Sequence, residues 1–301
     1  MKYNKPAITF QEQVKLLQSR GLYINDANDA AKKLSHINYY RLSAYRFTFC
    51  PPENRDVFIE GTTFDNLWNL YRFDRELRLL LLDAIERIEV SIRTTWANSL
   101  AITHDPHAYQ NPHLFYNQIE HNSLLSKLDD EIERSYEEFI KHYLHKYDDP
   151  HRPSIWAICE ILSLGTLSKF YGLLKNRSDR NRISKKYGLD EKYFKSFLQH
   201  LAQVRNFCAH HSRVWNRKFP TEIRFPKHLE CYFNKSRPKN IYNTLVIILH
   251  FFNYLCPDSD WREEIKALIN RYKEVNIINM GFRKDWLELE IWDPSKKKHR
   301  I

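Results

Sequence analysis

The chain has 301 residues, 43% hydrophobic and 28% charged, which is ordinary globular usage and excludes a wholly disordered or collagen-like protein. Only 6 residues are glycine, at 21, 61, 165, 172, 188 and 281, and no G-x-G-x-x-G, G-x-x-x-x-G-K-[ST] or G-x-S-x-G can be assembled from them. The net charge of +10 suits a polyanionic partner, either nucleic acid or an anionic membrane surface.

Low glycine and long stretches of 3.6-residue periodicity predict an all-α protein. Thr9-Phe10-Gln11-Glu12 reads as a capping box opening a helix to about Arg20, stopped by Gly21. Asp26 can cap a second helix from Ala27 to about Ser35. The aromatic-rich segment Ile37 to Phe49 fits helix or strand, and Pro51 through Gly61 reads as a loop. The longest helical pattern begins at Thr63 and runs to about Leu100, with Leu67, Leu70, Tyr71, Leu77, Leu81, Ile85, Ile88 and Ile92 in one apolar stripe. A loop or insert is expected over 103–122, then one amphipathic helix from Leu124 to about Tyr147. Pro153 suits the first turn of a helix over about 153–175. Further helices are expected at about 178–187, 190–212, 238–256, 259–274 and 282–291, with a loop over 216–237 and a basic tail, Lys296 to Arg300. A weak boundary falls near residue 60. Residues 1–60 then form an accessory region of short elements. Residues 61–301 form the helical domain, with an insert near 103–150 and helices at its C-terminal end.

The five cysteines are widely spaced and contain no C-x-x-C, which argues against a disulfide framework or a zinc ribbon. Met1 to Phe10 has no apolar signal-peptide core. The longest apolar stretch, Leu245 to Cys256, is too short to span a bilayer. A reduced, soluble, cytoplasmic protein with no membrane partner is the plain expectation.

The stretch with the clearest chemistry is Val204 to Arg213. On a helical wheel, Phe194, Phe197, Leu198, Leu201 and Val204 make the buried face. Arg205 sits at its border. Asn206 and His210 lie one turn apart on the adjoining polar face, which the long Arg205 side chain can reach round to share. A histidine can exchange protons near neutral pH, and an arginine can hold two phosphate oxygens while staying charged. Asparagine can orient either group. These types suit RNA cleavage, in which the 2′-hydroxyl is an internal nucleophile and no metal-bound water is required. One chain supplies one such histidine, whereas the chemistry wants an acid and a base, so two chains meeting at this helix would complete the set. The bland alternative is that Arg205 is a surface salt-bridger and His210 a helix C-terminal cap.

Arg205-Asn206-Phe207-Cys208-Ala209-His210 resembles the R-N-x-x-x-H motif of the HEPN superfamily. Three further stretches resemble its Abi-like branch, the abortive-infection AbiD/AbiF family. The first is Arg20-Gly21-Leu22 with Ile37-Asn38-Tyr39-Tyr40-Arg41-Leu42-Ser43-Ala44-Tyr45. The second is Phe73-Asp74-Arg75-Glu76-Leu77-Arg78 with Ala84-Ile85-Glu86-Arg87-Ile88-Glu89-Val90. The third is Trp156 to Ser168. The resemblance implies a HEPN-type helical bundle, metal-independent RNA cleavage at a homodimeric composite site, and a role in phage defence by growth arrest. It implies that Arg205 and His210 are catalytic and Asn206 supporting.

Glu86, Glu89 and Arg93 share one side of the long helix, either as a salt-bridge row or as a group from which Glu86 or Arg93 completes the site. Glu160 interrupts the apolar run Ile155 to Leu164 and needs a partner, Arg205 or another arginine at the core edge. Arg213, Arg217 and Lys218 could bind flanking phosphates, or form a solvated charged turn. Tyr39, Tyr40, Arg41, Tyr45 and Arg46 mix aromatic and basic groups as base-stacking surfaces do, and as a core edge does. His104/His107 and His142/His145 have H-x-x-H spacing, but no H-E-x-x-H exists and no cysteine is near, so no metal and no cofactor is expected.

The leading expectation is an endoribonuclease, the toxic effector of a phage-defence or toxin–antitoxin system. Its partners would be an RNA substrate, a second copy of the chain, and an inhibitory antitoxin, either a protein or a small structured RNA. The alternative is a non-catalytic module that binds RNA or a partner protein, with Arg205 and His210 as anchors.

Overall fold

In the computed structural model, which describes Lys2 and residues 6–296, the protein is all-α. Among the described residues there are twelve α-helices and no β-strand, only two isolated bridges at Tyr23–Thr63 and Phe115–Leu174. Of the basic tail, Lys297 to Arg300 and the side chain of Lys296 lie outside the described residues. The chain divides into two compact units, Met1–Leu79 with Glu264–Asn276, and Leu80–Glu263 with Ile277–Ile301. The division falls inside the long helix, not at residue 60, and the smaller unit takes in a C-terminal segment.

The first unit opens with α1 (Phe10–Ser19). Its capping box is complete. The Thr9 hydroxyl accepts the Glu12 amide, and the Thr9 amide donates to Glu12 Oε2 at 2.7 Å. α2 (Ala27–His36) is capped by Asp26 and packs on α1. The segment that fitted helix or strand becomes α3 (Tyr39–Ser43), capped by Asn38, and a 3-10 turn over Arg46–Thr48. α4 (Phe64–Thr103) is 40 residues long. Its first part contributes Asp74 and Arg78, a buried ion pair at 3.3 Å, and the Tyr45 hydroxyl donates to Asp74 Oδ2 at 2.6 Å. Burial, with that carboxylate beside it, pushes the Tyr45 hydroxyl's pKa well up. Two of the family-like stretches therefore meet in one satisfied polar group.

The second unit contains α4 from Leu80 onward, with α5 (Gln118–Glu133), α6 (Glu138–Lys146), α7 (Ile155–Ile161), α8 (Leu164–Leu173), α9 (Arg177–Ser184), α10 (Glu191–Ala209) and α11 (Ile241–Leu255). Leu81, Ile85, Ile88 and Ile92 are buried as the stripe predicts, and Trp96 is buried beyond them. The expected 124–147 helix is two. Ser135 Oγ accepts the Glu137 amide at 3.3 Å, a local bond that competes with helix continuation. The expected 153–175 helix is also two, because Ser163 caps α8 by accepting the Thr166 amide at 3.1 Å. No α-helix forms over 282–291. Phe282, Trp286 and Trp292 instead cluster with Tyr242 of α11, and this packing overrides the local helical pattern.

α10 packs its Phe194, Phe197, Leu198, Leu201 and Val204 face inward, against α8, α9 and α11. α11 is buried from Ile241 to Phe252, so its apolar run is core. α12 (Trp261–Arg271) completes the set. Among the described residues, no helix is long and apolar enough to cross a membrane.

Candidate functional site

The helix expected to reach residue 212 stops at Ala209, and the R-N-x-x-x-H stretch straddles its last turn. His210 is the C-cap, at φ −84 and ψ 14. His211 follows in the left-handed region at φ 55. The Ser212 amide donates to the Phe207 carbonyl at 2.8 Å and the His211 amide to the Cys208 carbonyl at 3.0 Å. These two bonds make a Schellman closure, with histidine where glycine is usual. The closure turns the chain out of the helix axis and leaves Asn206 and His210 exposed. Among the described residues, neither the Asn206 side-chain amide nor the His210 ring has a hydrogen-bond partner. His210 thus occupies the capping position of the bland reading, yet its ring stays available.

Arg205 points the other way, to α4. It lines an open cleft of about 520 Å³ with Asp83, Glu86, Glu89, Val90 and Arg93. Its Nε lies 3.9 Å from Glu89 Oε2, with the Arg205 side chain 38% exposed and that of Glu89 only 7%. Arg93 Nη2 donates to Glu89 Oε1 at 2.5 Å. The same guanidinium donates to the carbonyls of Glu160 at 3.0 Å and Leu162 at 2.7 Å. Those carbonyls belong to the end of α7, where helix geometry leaves acceptors without intrahelical donors. A continuous relay results. The end of α7 fixes Arg93, Arg93 fixes Glu89, and Glu89 holds one edge of Arg205.

Of the three supporting candidates, Glu86 and Arg93 line the cleft and Glu160 joins it through Arg93, at 3.8 Å. Glu160 is exposed and pairs with Arg93, not with Arg205. Beside it, burial and the Glu160 carboxylate push the Cys159 thiol up to about 12, which keeps it protonated. By spacing alone, Glu89 is no more than one member of a salt-bridge row. It stands i+4 from Ile85 and i−3 from Ile92, inside the apolar stripe. A charged residue at such a position signals a buried partner.

Arg213 and Arg217 hold the loop after α10. Arg213 Nη1 donates to the Trp215 carbonyl at 2.7 Å. Arg217 Nε donates to the Arg213 carbonyl at 2.5 Å, and its guanidinium lies 4.3 Å above the Phe207 ring. Lys218 is exposed. Of the aromatic and basic cluster near residue 40, Tyr45 is core and Tyr40 is exposed. His104 faces Asp179 and His107 faces Tyr143, so this H-x-x-H pair does not converge. Among the described residues no group of three His, Cys, Asp or Glu side chains is placed to hold a metal ion.

The fold and site define an all-α protein whose candidate site is carried by two helices, with an arginine held against buried acid on α4 and an open histidine ending α10. A family model described as Abi-like protein matches residues 32–216, a span that includes both helices. The chain belongs to the Abi-like protein family, and that membership points to abortive-infection defence. No curated protein and no solved structure gives a significant match.

Proposed function

We propose that this chain is a metal-independent endoribonuclease of the HEPN kind, the toxic effector of an abortive-infection or toxin–antitoxin system. The reading rests on the state of three side chains at the end of α10. Arg205 is held at one edge and otherwise open, while Asn206 and His210 are exposed and free of intramolecular side-chain bonds. Being exposed and unengaged, Asn206 and His210 are accessible to an RNA phosphate.

The nucleophile is the RNA 2′-hydroxyl. It attacks the adjacent phosphorus and the P–O5′ bond breaks, leaving a 2′,3′-cyclic phosphate and a 5′-hydroxyl. His210 takes the 2′-hydroxyl proton, and the partner's His210 gives a proton to the departing 5′-oxygen. Arg205 stabilises the phosphorane by charge-assisted hydrogen bonds. Asn206 orients the phosphate or the imidazole. Glu89 is a positioning residue, setting the angle of the guanidinium. The active form is a homodimer in which two α10 ends meet, and a protein or small structured RNA antitoxin restrains it.

The test is incubation of purified protein with RNA in excess EDTA, beside Arg205→Ala and His210→Ala. Wild-type cleavage to cyclic-phosphate ends, lost in both variants with folding intact, is the expected result. Cleavage by both variants at the wild-type rate sinks the assignment. A non-catalytic binding module is the second reading. In it Arg205 and His210 are anchors, and it would show as tight, salt-sensitive binding with RNA intact in every lane.

A further inference from the structure

A second cleft of the same unit, about 810 Å³, lies between α8, α10 and the segment after α10. Lys175, Arg180, Lys192, Lys195 and Arg224 line it, against the carboxylates of Glu191 and Glu222. Arg180 is already paired with Glu191 at 3.0 Å. Among the described residues the other four cations form no ion pair, which leaves an excess of unneutralised positive charge in one groove. Lys195 lies across α8 at Gly172. Its ammonium donates to the Gly172 carbonyl at 3.2 Å, and a Cβ on Gly172 would meet the Lys195 stem at 3.1 Å. The helix has no side chain where the lysine needs to lie. Tyr116, 58% exposed, stands at the groove as an accessible aromatic ring.

The register of α10 connects this groove to the candidate site. Lys192, Lys195 and Gln199 fall on the same helical face as Gln203, Asn206 and His210, at successive turns. From Lys192 to Asn206 that face runs about 21 Å at 1.5 Å per residue. A length of that order accommodates a few nucleotides, the lower end of the footprint of single-strand binders. Lysines and an arginine along the track, with one exposed tyrosine, are the combination such binders use: phosphates on the cations, a base on the ring.

We infer that the Lys175–Lys192–Lys195–Arg224 groove binds the phosphate backbone of single-stranded RNA and leads it along α10 toward His210. The binding itself does not depend on the nuclease reading; only the purpose of the track does.

The experiment measures binding of a fluorescein-labelled 12-nucleotide 2′-O-methyl RNA, which cannot be cleaved through its 2′-oxygens, by anisotropy over a salt series. The full chain is compared with Lys175→Glu/Lys192→Glu/Arg224→Glu, all three positions being solvent-accessible, and with Lys127→Glu/Lys141→Glu/Lys146→Glu on α5 and α6. The control carries the same change in net charge. The groove variant should bind at least tenfold more weakly, and its slope of log affinity against log salt should flatten by about two, at ~0.7 for each phosphate no longer neutralised. The control should change less than threefold. Equal losses in both variants would mean only diffuse net charge matters, and unchanged binding by the groove variant would mean the RNA lies elsewhere; either result overturns the inference. Loss of binding in the groove variant, in a chain that cleaves no RNA, would uphold the groove and remove the nuclease reading. Cleavage that survives the groove substitutions, with binding intact, would do the reverse.

Discussion

Glu89 places a carboxylate between two guanidiniums, tightly on Arg93 and loosely on Arg205. The two pairings predict different losses. Arg93→Ala strands a buried carboxylate and exposes α7 carbonyls without donors, so it should cost about 2–4 kcal/mol in urea denaturation. Glu89→Gln keeps the shape and much of the hydrogen bonding. It should lower RNA cleavage about tenfold or more while melting close to wild type, since only the aim of Arg205 changes. A fully active Glu89→Gln would show that Arg205 needs no positioning acid. Two buried histidines give a separate residue-scale prediction. Burial pushes His200 down to about 3 and His250 to about 4. Folding holds both rings neutral, so below about pH 6.5 the unfolded chain binds more protons. Their contribution is intact above that value and is lost progressively as pH falls toward the folded values. Between pH 7.5 and 5.5 the loss should be about 1 kcal/mol for each ring. His200→Gln, which can still reach the Thr221 and Thr244 hydroxyls, should shrink that pH-dependent loss by about the same amount; an unchanged loss would remove His200 as its source.

At the scale of elements, boundaries are set by caps and by tertiary packing together. Thr9 and Asp26 are legible as caps because their partners are two or three residues away. The break at Ser163 is hidden in the apolar run Ile155 to Leu164, which reads as part of one helix until the cap geometry is known. The C-terminal 3-10 turns are hidden for another reason, since the aromatic cluster that bends them is assembled from distant parts of the chain. Gly281, at φ 89, lies in that region, and a Cβ there would come within 2.7 Å of the Asn240 Cβ. Gly61 has a similar φ of 79 with nothing within 4 Å. Gly61→Ala should therefore cost only left-handed strain, about 1–2 kcal/mol, and Gly281→Ala should cost visibly more in thermal melting. Equal costs would show that Asn240 moves aside freely.

For the whole molecule, the composite-site proposal has a test that single variants lack. If both His210 rings of a dimer serve one reaction, co-refolding wild type with an equal amount of His210→Ala yields heterodimers with one histidine, which should be inactive. About a quarter of the all-wild-type activity should remain, since half the dimers are mixed and a quarter are wild-type. A remaining half would show that each chain cleaves with its own histidine alone. The helical class, the buried face of α10 and the placing of Glu86 and Arg93 beside Glu89 are all legible in the sequence, because each follows from spacing along a single helix.

Sequence alone determined what repeats locally: the apolar stripes, the caps, the polar face of α10, and the absence of glycine-rich phosphate loops. These depend on periodicity and short-range hydrogen bonds, which a linear string records. Only the tertiary structure decided that Glu89 and not Glu160 holds Arg205, that Arg93 is anchored by the end of α7, and that Lys175, Lys195 and Arg224 share one groove. Those groups are separated by tens of residues or more, and their pairing is set by how helices pack. Burial then selects which charge must find a partner, because an unpaired charge in the core costs more than the chain can spare.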